Sequence, residues 1–263
     1  MTEFDPQADA AACYEVAIAA KRAQYLMEQC PAAKRVEVIG AVTMYLADCR
    51  EVLPTLPISD LCLTDPPYGI DYGKAGGFSA SHGWGSWREN VAWDAERPSK
   101  ELFELILARS KSQVIWGGNY FTDYLPPSMQ WLVWDKGQRN FSLADCEFAW
   151  TSQNKAARIF EYSRGKALQD GKQHPTQKPV ELMSWCLDLF KPKPKSVVDP
   201  FMGSGTSAIS CFRRGIPFVG IERDEGYFDG AVERLRKAAR EPDMFTATDI
   251  PQPEQLSILD EAS

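Results

Sequence analysis

Short, mostly apolar runs alternate along this chain with longer stretches of helical spacing. Leu61-Cys62-Leu63 precedes Asp65, Gln113-Val114-Ile115-Trp116 precedes Gly117-Gly118, and Trp131-Leu132-Val133-Trp134 precedes Asp135-Lys136. Runs of this length, closed by a polar or glycine turn, suit strands buried on both faces of a parallel sheet. Between them, Ser99 to Ser110 sets Leu102, Leu105, Ile106 and Arg109 at helical spacing behind a serine cap. The alternation resumes after Lys195. Ser196-Val197-Val198 reads as a strand, Gly203 to Gly205 as a turn, Thr206 to Arg214 as a helix and Pro217 to Ile221 as a further strand. The pattern predicts an α/β domain over residues 36–240.

At the amino end, Ala10 to Gln29 holds neither Gly nor Pro and is rich in Ala, ending at Cys30-Pro31. Residues 1–35 are therefore expected to form a helical extension. Residues 69–94 hold Gly, Ser and Trp with little periodicity, and together with residues near 151–175 they read as insertions in the domain. The stretch 241–263 is acidic, carries Pro242, Pro251 and Pro253, and is expected to be weakly structured.

The composition, 44% hydrophobic and 25% charged, is that of a globular chain rather than a disordered or fibrous one. A formal charge of -7 argues against a nonspecific nucleic-acid coat, yet leaves room for a local basic strip. Lys155, Arg158, Arg164, Lys166, Lys172 and Lys178 form such a strip against only Glu161 and Asp170. Seven cysteines stand as singletons, and His82 and His174 are the only histidines, so no metal site is expected. The first residues lack a basic, apolar leader, and no apolar run approaches the roughly 20 residues that cross a bilayer. A cytoplasmic protein with no membrane partner is the expectation.

Two stretches carry chemistry. In Asp199-Pro200-Phe201-Met202-Gly203-Ser204-Gly205-Thr206 a glycine turn joins a strand to a helix, where backbone can approach a ligand. Glu222 ends the next strand, at the place where nucleotide-binding βαβ units put an acid on ribose hydroxyls. Neither a P-loop lysine nor a third glycine is present, so a cationic nucleoside without phosphates fits better than a nucleotide. An ordinary strand-to-helix turn capped by Asp199 is the alternative.

The second stretch is Asp65-Pro66-Pro67-Tyr68, at the end of an apolar strand. Its prolines remove two backbone donors, leaving the Asp65 carboxylate and the Pro66 carbonyl as acceptors. Two acceptors on an exocyclic amino group would localise its lone pair for attack on a methyl group, and Tyr68 offers a flat face to an extruded base. Taken alone, the four residues are equally a turn closed by an aromatic plug.

With both stretches in this order, the chain resembles the DPPY-motif amino-methylating DNA methyltransferases of the β group, in which an F-x-G-x-G cofactor motif follows the catalytic one. The resemblance spans roughly Val42 to Arg240. It implies a mostly parallel, seven-stranded S-adenosylmethionine-dependent methyltransferase sheet flanked by helices, with insertions for target recognition. It implies catalysis by Asp65, Pro66, Pro67 and Tyr68. It also implies cofactor contacts from Asp48 and Cys49, from His174, Thr176 and Lys178 ahead of a helix at Val180 to Phe190, and from Asp199, Pro200, Phe201, Gly203, Ser204, Gly205, Thr206 and Glu222. Ala47 replaces a glycine usual before Asp48. Phe141, Glu147, Phe148 and Trp150 fall near where the family carries base-pocket groups, although core is the preferred reading of each aromatic.

The resulting expectation is a site-specific methyltransferase acting on adenine N6 in duplex DNA, with S-adenosylmethionine as cofactor and Lys155, Arg158, Arg164 and Lys166 on the DNA. A homodimer and a paired restriction endonuclease are further partners of such enzymes. Cytosine N4 is the alternative target, because Asp at the first motif position is only a statistical mark of adenine enzymes. RNA or protein methylation, and a non-catalytic DNA-binding subunit with the same fold, are the remaining alternatives. Cytosine C5 chemistry is excluded, because it needs a cysteine nucleophile and the chain has no Pro-Cys pair.

Overall fold

The computed structural model describes residues 6–70, 96–139, 144–163, 165–166 and 177–240. Helix α1 (Pro6–Gln29) leads into the antiparallel hairpin β1 (Arg35–Ile39) and β2 (Val42–Leu46). Gly40, at φ 55°, makes its tight turn possible. Then follow α2 (Cys49–Val52), β3 (Ser59–Thr64), α3 (Lys100–Ala108), β4 (Ser110–Trp116), β5 (Trp131–Asp135), β6 (Cys146–Thr151) and β7 (Arg158–Glu161). The remainder is α4 (Val180–Asp188), β8 (Val197–Asp199), α5 (Thr206–Arg213), β9 (Phe218–Glu222) and α6 (Glu225–Arg240).

Among the described residues these strands form one sheet in the order β1-β2-β9-β8-β3-β4-β6-β5-β7. Its pairings give β2, β9, β8, β3, β4, β5 and β7 a common direction, with β1 and β6 reversed. The expected mostly parallel sheet is present, but it has nine strands rather than seven. The hairpin strand β1 adds one at an edge, and reversed β6 sits between β4 and β5.

Every residue of β2 and five of six in β3 are buried, because helices cover both faces of the sheet's middle. One core layer joins Met44, Leu63, Trp116, Leu182, Ile209 and Phe228 on the side of α4, α5 and α6. Another joins Tyr45, Val52, Cys62, Ile106 and Ile221, with Ala23 and Leu26 of α1 packed against it. The Ser99 hydroxyl caps α3 by accepting from Leu102 N, as the sequence suggests. No helix among the described residues is long and apolar enough to cross a membrane.

Candidate functional site

Parallel strands bring their carboxyl ends to one edge, and there the sheet opens into a cavity of about 960 Å³. That volume lies at the top of the range for small-molecule sites. Its walls are the residues that end or follow those strands: Asp48 after β2, Asp65 after β3, Gly117 after β4, Lys136 after β5, Asp199 at β8 and Glu222 at β9. Since β6 runs the other way, its first residues, Cys146 to Phe148, reach the same edge. Both stretches singled out in the sequence, 134 residues apart in their first aspartates, thus face one space.

Asp65 is the centre of a charged cluster. Its Oδ1 accepts from Tyr68 Oη at 2.6 Å and its Oδ2 from Lys178 Nζ at 2.6 Å. Lys178 is only 4% exposed, lies 2.9 Å from Glu147 Oε2, and donates to Tyr68 Oη at 3.2 Å. Lys136 pairs with the other Glu147 oxygen at 2.6 Å. Burial pushes the Asp65 carboxyl above its ordinary range, opposed by Lys178 and reinforced by the charge of Glu147. Burial acts on Glu147 too, but two ammonium groups outweigh it and hold that carboxyl down at about 2.

Tyr68 departs from the expectation of a bare face for a base. Its ring stacks on Tyr120 at 4.7 Å and meets Phe121 edge-on at 6.3 Å. Gly117, at φ 68°, sits so close that a Cβ there would fall 2.0 Å from the Tyr68 ring. This packing directs the hydroxyl onto Asp65.

On the other side of the cavity, Asp199 ends β8 with its carboxylate turned inward and 2% exposed. Thr64 Oγ1 donates to it at 2.6 Å, Ser207 Oγ at 2.5 Å and Phe201 N at 3.1 Å. Burial with only neutral donors raises its pKa to about 6. Asp199 therefore rivets β3, the turn and α5 together at the wall of the cavity. Glu222 borders the same space. Its oxygens accept Gly203 N at 2.9 Å and Asp224 N at 2.8 Å, and lone pairs remain on both.

The turn itself is shaped for close approach. Gly203 has φ 51°, and a Cβ there would meet only Phe201 O, at 3.9 Å. At Gly205, φ 74°, a Cβ would crowd Ala231 of α6 at 2.9 Å, so this glycine serves helix packing. Pro200, Phe201, Ser204 and Thr206 also line the cavity. Asp48 caps α2 through Arg50 N and chelates the Arg50 guanidinium, which lowers its pKa. Burial pushes the Cys49 thiol up to about 12, so it contributes packing rather than a thiolate.

The rest of the expected site divides. Arg164, His174, Thr176, Phe141 and Lys172 lie outside the described residues, as do residues 71–95. Lys178 leaves the expected DNA strip, being buried under Asp65. Lys155 and Arg158 are exposed at the amino end of edge strand β7, the end remote from the cavity, whereas exposed Lys166 follows its carboxyl end. Trp150 is core, 2% exposed, and Phe148 lines the cavity.

Tyr120, Lys136 and the Glu147–Lys178 pair went unassigned from the sequence. Lys136 stands in Trp134-Asp135-Lys136, just past a strand, so its carboxyl-edge position was the available signal. The partnership of Glu147 depends on β6 being reversed, which no local pattern announces.

The DNA methylase family model N6_N4_Mtase matches residues 115–233. The chain is 27% identical over 253 residues to the type II methyltransferase M.HinfI of Haemophilus influenzae, covering 76% of this chain and 70% of that protein. It is 25% identical over 225 residues to the type II methyltransferase M2.LlaDCHI of Lactococcus lactis subsp. cremoris, covering 68% and 83%. The crystal structure of the M1.HpyAVI-SAM complex superposes with a TM-score of 0.52 at 23% identity, covering 74% of this chain and all of that one, a likeness of fold. The chain thus carries a DNA methylase domain over residues 115–233 and is similar in sequence to type II methyltransferases.

Proposed function

We propose that this chain is an S-adenosylmethionine-dependent DNA methyltransferase that methylates an exocyclic amino group, N6 of adenine, in duplex DNA after the base is extruded. The observation that carries the reading is the shared cavity. Asp65, braced by Tyr68 and Lys178, faces the same space as the Gly203 turn and Glu222. The residues fit the cofactor: an open glycine turn and an acid for ribose hydroxyls suit a sulfonium nucleoside. When bound, S-adenosylmethionine supplies an electrophilic methyl group.

Against it, the chain contributes position and electrostatics. The Asp65 carboxylate and Pro66 carbonyl accept the two N–H bonds of the amino group, which turns the nitrogen lone pair out of conjugation and toward the cofactor side. Holding both reactants in one cavity replaces a bimolecular encounter. Asp48 and Glu222 define the nucleoside side, and Lys178 keeps the amino side from losing its charge. Target recognition falls to residues 69–94 and 151–175, with Lys166 on the cavity side of β7 and Arg158 and Lys155 reaching phosphates farther out.

Tritiated methyl transfer from S-adenosylmethionine to unmethylated duplex DNA, followed by base analysis, tests the reading. The expected product is N6-methyladenine in one sequence context. N4-methylcytosine would move the target to cytosine, and incorporation into RNA alone, or none, would overturn the proposal.

A further inference from the structure

We infer that Lys178 and Glu147 form a positioning relay, in which Lys178 holds the Asp65 carboxylate ionised and aimed at the cavity while Glu147, braced by Lys136, holds Lys178. The inference rests on the transfer reading above and reassigns Lys178 from cofactor contact to support of the amino-activating acid.

Donor arithmetic leads there first. A lysine ammonium has three protons. Lys178 Nζ lies 2.6 Å from Asp65 Oδ2, 2.9 Å from Glu147 Oε2 and 3.2 Å from Tyr68 Oη. Two of these are hydrogen bonds, to Asp65 and Tyr68, and the third is an ion pair with Glu147, so the polar contacts of this buried ammonium lie within the cluster. At 4% exposure Lys178 cannot reach a DNA phosphate. It comes from the segment before α4, Asp65 from the end of β3, Glu147 from reversed β6 and Lys136 from the end of β5. Four separate elements converge on this group, which a packing accident would not require.

Charge balance gives the relay its direction. Asp65 and Glu147 carry two negative charges, Lys178 and Lys136 two positive ones. Tyr68 and Asp199 are the other titratable groups facing Asp65, and neither brings a positive charge. Without the Lys178 cation, two carboxylates would share a buried site with only Lys136, and Asp65 would take up a proton more readily. A protonated Asp65 offers an O–H where the reaction needs an acceptor. Conversely, removing the Glu147 charge would relieve repulsion on Asp65, as its contribution to raising that carboxyl implies. Lys178 itself stays protonated, its two carboxylate partners outweighing burial, so it is a positioning residue and not a base.

The test compares single-turnover methyl transfer against pH for the wild type, Lys178→Met, Lys178→Arg and Glu147→Gln. Lys178→Met is expected to slow transfer about 100-fold, with cofactor and DNA affinity within about threefold, and to move the acid limb up by about one pH unit. Lys178→Arg should recover at least about tenfold of that loss, because the charge returns. Glu147→Gln should slow transfer about tenfold and move the acid limb down. Opposite shifts from two substitutions in one cluster would not follow from loss of packing.

An acid limb that stays at its wild-type position in both variants overturns the relay, as does a Lys178→Met loss that appears wholly in cofactor affinity. Titration of the Asp65 carboxyl by 13C NMR, assigned with Asp65→Asn, reads the same shifts without turnover. If wild type transfers no methyl to DNA, the functional reading falls while this titration still judges the relay. Should Lys178→Met fail to fold, Glu147→Gln in both measurements decides.

Discussion

Asp65 and Asp199 close neighbouring parallel strands, β3 and β8, and have opposite fates. Asp199 is enclosed by two hydroxyls and a backbone N–H, all neutral, and sits 2% exposed. Asp65 keeps about a quarter of its side chain exposed to the cavity and is met by an ammonium group. Thr64, immediately before Asp65, donates to Asp199, so the two acids are mechanically joined. Residue type is the same, and what differs is the position, Asp65 standing two residues farther toward the edge, and the charge of the partners. A carboxylate surrounded by neutral donors is cheapest as a structural tie, whereas one faced by a cation on one side and open on the other can be offered to a substrate.

The largest expected effect separates these roles outright. Asp65→Ala should lower methyl transfer at least about 10³-fold, roughly 4 kcal/mol of transition-state stabilisation, while calorimetry finds cofactor affinity within about threefold of wild type. Near-normal turnover in that variant would mean that the amino group is activated elsewhere. Next in size is Gly117→Ala. A Cβ there would overlap the Tyr68 ring at 2.0 Å on a left-handed backbone, so roughly 2–5 kcal/mol of stability should be lost in urea unfolding. Transfer should fall as well, because the Tyr68 hydroxyl braces Asp65.

Much of this was legible beforehand because it is written locally. The prolines and glycines of Asp65 to Tyr68 and Gly203 to Gly205 interrupt apolar strands, and the strand ends bear the acids. Apolar runs marked β3, β4, β5 and β8 to within a few residues. The edge hairpin β1–β2 and the reversed strand β6 were not marked, because reversal is decided by pairing between distant segments and leaves no period in the sequence. Glu147 was consequently placed in a base pocket without its partners. The hydrogen bonding of Asp199 is hidden for a related reason: one of its donors, Thr64, lies 135 residues away.

Asp199→Asn sharpens the contrast through pH. Burial raises the folded pKa of Asp199 from 3.8 to about 6, so the folded state binds the proton more tightly than the unfolded one. Its stabilising contribution is full below about pH 4 and is lost as pH rises through about 6, which amounts to roughly 3 kcal/mol. Asn can keep its carbonyl toward Phe201 N and Thr64 while its amide donates to Ser207, whose hydroxyl can accept as well as donate. Unfolding free energies measured between pH 4 and 7.5 should therefore fall less in Asp199→Asn than in wild type. An unchanged slope would show that the cost of this buried charge is already offset.

Glu222 stands between the two aspartates and gives the smallest, most discriminating effect. It borders the cavity, as Asp65 does, but both of its oxygens accept backbone N–H groups, from Gly203 and Asp224. Neither of those partners can reverse. In Glu222→Gln the amide nitrogen must face one of them, donor against donor, whichever way the side chain is turned. The cost is one unsatisfied backbone N–H, about 1–2 kcal/mol in thermal or urea unfolding. Because Gly203 N is one of the two, the cofactor turn loosens, and cofactor affinity should weaken about tenfold by calorimetry with the transfer rate at saturation nearly kept. The same carboxylate-to-amide change is thus tolerated at 199 and penalised at 222, because a hydroxyl can exchange its role in a hydrogen bond and a backbone amide cannot.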